Sequence, residues 1–87
     1  MTIMNKTVTN NDKLTPSYIG AMCSNYRRYY TGASQENVAT DVGCDRSTVS
    51  KFERGVRPNA VIFMWYIKRG LFDWVPIEKW NGWDMGL

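Results

Sequence analysis

Five side chains in one short stretch carry the chemistry this chain offers: Arg46, Ser47, Ser50, Lys51 and Arg54. Spaced as they are in DRSTVSKFER, they are left facing out of a helix whose Val49 and Phe52 face inward. Guanidinium, ammonium and hydroxyl groups on one helix face can donate to phosphate oxygens and to base edges in a DNA major groove. The charge distribution agrees. Residues 46–69 hold six cationic side chains against the single acid Glu53, while residues 71–87 hold Lys79 against Asp73, Glu78 and Asp84. The formal net charge is only +3, so positive charge is concentrated where a phosphate-binding surface requires it.

Other chemistries are poorly supplied. The chain has no His, which removes imidazole general bases, the usual nucleophile triads and most zinc sites. Cys23 and Cys44 lie far apart without paired spacing, so no metal site and no cofactor are expected. Both thiols are expected reduced, with Cys44 buried in a turn. With no nucleophile–base pair in sight, the chain is not expected to be an enzyme, and no small-molecule substrate is evident. No apolar run approaches the ~20 residues that cross a bilayer, and the N-terminus lacks a signal-peptide layout. The expectation is a soluble, cytoplasmic protein of the bacterial cytosol or nucleoid, with no membrane partner.

The elements that must hold the reactive face follow from caps and stops. Eighty-seven residues, 44% hydrophobic and 14% aromatic, suit one domain with one modest core. Residues 1–14 are polar and read as a flexible N-terminal arm. Thr15-Pro16 starts a first helix, Ser17 to about Tyr30, with Arg27 and Arg28 near its end. Ser34 caps a second helix, Gln35–Val42, whose Val38, Ala39 and Val42 form an apolar face, and Gly43 stops it. Asp45 caps the third, about Arg46–Arg54, ended by Gly55. Asn59 caps a fourth, about Ala60–Arg69, so apolar that burial on more than one side or cover by a partner is expected. Asp73 is a possible cap for a short last helix, limited by Pro76. The tail carries Phe72, Trp74, Trp80 and Trp83, too much apolar surface to hang in water. It either folds back on the domain or forms a dimer interface.

Two short helices joined by a tight turn, with a small residue at Ala39 and a basic exit at Arg57-Pro58, form a helix-turn-helix pattern. Over about residues 17–71, most densely 34–58, the sequence resembles the phage Cro and repressor helix-turn-helix proteins. Gln35, Ala39, Gly43, Val49, Phe52, Glu53-Arg54-Gly55 and Arg57-Pro58 carry the resemblance. It implies an all-α, lambda-repressor-like domain of four to five helices over residues 15–71, followed by the aromatic tail 72–87. It further implies that Asp45, Arg46, Ser47, Ser50 and Lys51 face the bases, and that Gln35, Arg54 and Arg57 hold phosphates. The family's arginine seven residues before the glutamine falls at Arg28, which implies an Arg28–Glu53 ion pair.

Where the family's last helices are aliphatic, these are aromatic. With so short a chain no separate oligomerisation domain is expected, and the resemblance is therefore nearer the Cro end of the family. The expected function is sequence-specific binding of double-stranded operator DNA by a homodimer that regulates transcription, as a small phage or prophage Cro-like repressor. The alternative is a protein-binding adaptor or inhibitor on the same fold, working through its aromatic C-terminal surface.

Overall fold

Each of the first four helices begins where the sequence supplies a capping side chain. The computed structural model describes residues 15–76. Among them run α1 (Pro16–Tyr26), one π-helical turn (Arg27–Thr31), α2 (Gln35–Val42), α3 (Arg46–Glu53), α4 (Ala60–Arg69) and α5 (Leu71–Trp74). Thr15 Oγ1 accepts from the Tyr18 amide at 3.1 Å, Asp45 Oδ1 from Thr48 at 3.2 Å and Asn59 Oδ1 from Ile62 at 3.0 Å. Ser34 and Asn37 exchange reciprocal bonds of 3.0 Å, a capping box. The fold is thus an all-α domain of five helices, with α2 and α3 joined by the turn at Gly43–Asp45.

One apolar cluster holds the helices. Cys23 and Tyr26 of α1, Val38 and Ala39 of α2, Val49 and Phe52 of α3, and Ile62, Trp65 and Tyr66 of α4 are buried, with Leu71 of α5 closing the cluster. Four of these ten residues are aromatic, and three of their rings pack together: Phe52 stacks on Tyr66 at 5.9 Å, and Trp65 meets Tyr66 edge-on at 5.2 Å. Cys23 is fully buried, whereas Cys44, expected buried in its turn, is half-buried; both are free thiols.

Backbone packs directly on backbone where α1 crosses the end of α3. A Cβ on Gly20 would stand 2.5 Å from the Glu53 carbonyl oxygen and 2.6 Å from that of Phe52. Gly55, just past α3, has φ +78° and lies against Ser17, whose Cα would be 2.5 Å from a Cβ there. Glycine at both positions brings α1 to rest on the C-terminal end of α3.

The end of α1 departs from the expected continuous α-helix. Gly32 N donates five residues back to Arg27 O at 2.9 Å, and Thr31 Oγ1 donates to the same oxygen at 2.7 Å. Such a π-turn accommodates one residue more than an α-turn.

α4 is buried through Ile62, Trp65 and Tyr66 but leaves Val61 and Met64 63% and 49% exposed, so it keeps one open apolar stripe. Asp73 does not cap α5: Gly70 takes the N-cap position with φ +109° and no side-chain bond, and Asp73 sits within the helix. Phe72 and Trp74 fold back and pack on the core, Phe72 edge-on to Phe63 of α4 at 6.3 Å and Trp74 against Tyr26 of α1 at 5.6 Å. Trp80 and Trp83 lie outside the described residues, as does the N-terminal arm. Among the described residues no helix is long and apolar enough to cross a membrane.

Candidate nucleic-acid interface

α3 turns Val49, Phe52 and Glu53 into the domain and leaves Arg46, Ser47 and Lys51 exposed and Ser50 half-buried. Arg54, at its C-cap, and Arg57, in the link beyond Gly55, are exposed as well. The cationic and hydroxyl-bearing residues singled out from the sequence are therefore open to solvent, Ser50 in part, and those on α3 recur at helical spacing.

What holds that surface in place is a carboxylate. Glu53 Oε2 accepts from Arg27 Nε at 2.7 Å and Oε1 from Arg27 Nη2 at 2.9 Å, a bidentate pair whose side chains are only 9% and 3% exposed. The Tyr66 hydroxyl of α4 donates to Oε2, and Gln35 Nε2 at the start of α2 donates to Oε1 at 3.0 Å. Arg27 Nη1 reaches on to the Ala33 carbonyl at 3.0 Å. One side chain at the end of α3 thus ties it to the π-turn that continues α1, to α2 and to α4. Burial works against the charge on Glu53, yet the hydrogen bonds from Arg27, Tyr66 and Gln35 outweigh it and hold the carboxyl below its ordinary pKa. The bond to Glu53 likewise raises Arg27. Burial first, then donation to Glu53, pushes the Tyr66 phenol up.

The ion pair implied at Arg28 is corrected by this geometry: the partner of Glu53 is Arg27, eight residues before Gln35, and Arg28 is exposed. The extra residue held in the π-turn accounts for the shift of one position. Arg27 also continues the buried stripe Gly20, Cys23, Arg27 at helical spacing, a signal that the sequence did contain.

Gln35 is more committed than a simple phosphate donor. Its amide nitrogen is taken by Glu53, which turns Oε1 outward to accept from Arg46 Nη1 at 3.0 Å. The guanidinium of Arg46 is thereby tethered by one edge to a residue fixed on the core. Asp45 acts as the N-cap of α3, where its Oδ1 also accepts from the hydroxyls of Thr48 at 2.6 Å and Ser47 at 3.2 Å. Thr48's hydroxyl, its amide and Ser47 together hold the Asp45 carboxyl below its ordinary pKa. Ser50 Oγ accepts from Arg54 Nε at 3.2 Å, which leaves its own proton to donate outward.

A second polar cluster escaped sequence reasoning. Asp41 Oδ2 of α2 accepts from Trp65 Nε1 at 2.9 Å and Arg69 Nη2 at 2.6 Å, and the Arg69 guanidinium lies 4.5 Å over the Trp65 ring. The bond from Trp65, with Arg69 beside it, lowers the Asp41 carboxyl. The Tyr26 hydroxyl donates to the Arg69 carbonyl at 2.5 Å. A buried indole N–H needs an acceptor, but which of the chain's acids supplies it depends on how α2 and α4 pack. Among the described residues no three His, Cys, Asp or Glu side chains are grouped to hold a metal ion. Comparison with protein-family models, curated proteins and solved structures finds no match to this chain.

Proposed function

We propose that this chain is a sequence-specific double-stranded DNA-binding regulator of transcription, Cro-like in design, with α3 lying in the major groove. The observation that carries the reading is the division of α3: an inner face fixed to three other helices through Glu53, and an outer face bearing Arg46, Ser47, Ser50 and Lys51. A rigid helix presenting donors on an open face suits readout of base edges. Arg46 and Lys51 donate to guanine O6 and N7, and the two serines reach base edges or phosphates directly or through water. Arg54 and Arg57 take phosphates, which set register. Gln35 serves by orienting Arg46, and any phosphate it touches is met from that fixed position.

A dimer is part of the proposal, since one α3 reads only one half-site. The exposed Val61 and Met64 of α4 offer apolar surface to a second copy. Among the described residues the adaptor reading is weaker, because Trp65 and Tyr66 are buried and Phe72 and Trp74 pack against the core; Trp80 and Trp83, which it would also use, lie outside them.

Selection of bound duplexes from a random pool tests the reading. A palindromic motif with half-sites about one helical turn, ~34 Å, apart is the expected result. Failure to enrich any sequence, with equal affinity for all duplexes, overturns it.

A further inference from the structure

Gln35 stands between two opposite charges. Its Nε2 donates to Glu53 Oε1 at 3.0 Å, and its Oε1 accepts from Arg46 Nη1 at 3.0 Å. A carboxylate only accepts hydrogen bonds and a guanidinium only donates them. The amide between them therefore lies one way round, nitrogen to Glu53 and oxygen to Arg46. Glu53 is itself held fast: Arg27 binds both of its oxygens, at 2.7 and 2.9 Å, Tyr66 donates to one of them, and its side chain is 3% exposed. A chain of hydrogen bonds thus runs from a buried carboxylate to an exposed arginine at the start of α3.

That chain decides what Arg46 has left to offer. Among the described residues, the bond from Nη1 is the only hydrogen bond found from its guanidinium. Nε and Nη2 lie on one edge of the planar group and stay open as a pair, the arrangement that meets guanine O6 and N7 together. An untethered arginine gives up many rotamers when it binds, whereas one held in advance gives up fewer. Other side chains at position 35 break the chain. Methionine offers neither a strong donor nor a strong acceptor. Glutamate is the stronger acceptor for a guanidinium, yet it sets a second carboxylate against Glu53, and two like charges so close resist being ionised together.

We infer that the buried Glu53 sets base specificity without touching DNA: through the Gln35 amide it fixes the edge that Arg46 presents to a guanine. The inference rests on the DNA-binding reading above. Only Arg46 meets the base, while Gln35 and Glu53 act as positioning residues. The network that joins α3 to the rest of the domain is then also the one that decides a base pair in each half-site.

The test compares two duplexes that differ only at the base pair Arg46 reads, identified as the one whose preference Arg46→Ala loses in a random-pool selection. The ratio of affinities for the two, read by fluorescence anisotropy, cancels changes in general DNA affinity and in the amount of folded protein. Wild type, Gln35→Met, Gln35→Glu and Asp41→Ala are measured, with thermal melts of each, and Gln35→Met is repeated together with Arg46→Ala. Gln35→Met and Gln35→Glu are both expected to lower the ratio about fivefold. With Arg46→Ala already present, Gln35→Met should change it by less than about twofold. Asp41→Ala removes the acceptor of Trp65 and Arg69, so it should melt earlier and keep the wild-type ratio. A wild-type ratio in Gln35→Met overturns the relay and leaves the DNA-binding reading standing, since the wild-type motif remains. A wild-type ratio in Gln35→Glu means that Arg46 needs only an acceptor, and overturns the part given to Glu53. A ratio in Asp41→Ala that falls as far as in Gln35→Met ties discrimination to stability and also overturns the relay. No preferred sequence for wild type overturns the DNA-binding reading itself.

Discussion

Replacing Glu53 by Gln keeps the shape of the side chain and removes the charge on which four helices converge. Arg27 then stays buried, its side chain 9% exposed, with no carboxylate opposite and only a neutral amide to accept its two donors. Breaking a buried ion pair from one side costs about 3–5 kcal/mol, because the remaining charge is left uncompensated. A domain of this size holds about 5–15 kcal/mol in total. Each kcal/mol corresponds to roughly 4–8 °C in melting temperature, so even the lower bound lowers the midpoint by at least about 12 °C. Circular dichroism melts of Glu53→Gln, Arg27→Met and Arg28→Met measure this directly. Glu53→Gln and Arg27→Met should both fall far below wild type, while Arg28→Met, at an exposed position, should stay within about 0.5 kcal/mol of it. A Glu53→Gln variant that melts with wild type, or an Arg28→Met variant that falls as far as Arg27→Met, would refute the assignment of Glu53 as the joint of the fold.

The same carboxylate makes stability depend on acid. Its folded pKa is depressed, so its contribution is full above the ordinary value near 4.5 and is lost as pH falls through that value towards the folded one. Denaturant titrations between neutral pH and about pH 3 should show this loss in wild type and a smaller one in Glu53→Gln; equal slopes in the two would contradict it. Gly20→Ala should cost at least about 1–3 kcal/mol, since a Cβ there meets the Glu53 carbonyl at 2.5 Å, and chemical denaturation of the variant reads it. With an alkylating reagent, half-buried Cys44 should react first. Cys23, fully buried and with its thiol pKa raised by burial and then by the charge of Glu53, should react only as fast as the domain opens; prompt labelling of both thiols would count against the packing described.

The parts of this fold that could be read in advance are those decided within a turn or two of chain. Thr15, Ser34, Asp45 and Asn59 each cap a helix because a short oxygen-bearing side chain meets amides three residues on. Gly43 and Gly70 end helices with positive φ, as their lack of a Cβ allows. The split of α3 into an inner Val49–Phe52 side and an outer basic side follows from helical period alone. The parts that were not legible depend on packing across the chain. Nothing local in RRYYTG announces a π-turn, and carrying over the resemblance's spacing of seven residues before Gln35 assigns the wrong arginine to Glu53. That Gln35 faces Glu53 on one side and Arg46 on the other requires α2 and α3 to be docked first. The apolar run of α4 gave no period, so its exposed stripe at Val61 and Met64 appears only once its neighbours are in place.

The central claim is that the outer face of α3 reads bases, and it is tested most directly by selecting DNA from a random pool with wild type and Arg46→Ala in parallel. The account predicts a palindromic motif for wild type and, for Arg46→Ala, the same motif with one base pair in each half-site left unspecified, a loss of about 1–3 kcal/mol of discrimination there. A motif unchanged by the substitution, or no motif in the wild-type selection, would contradict it.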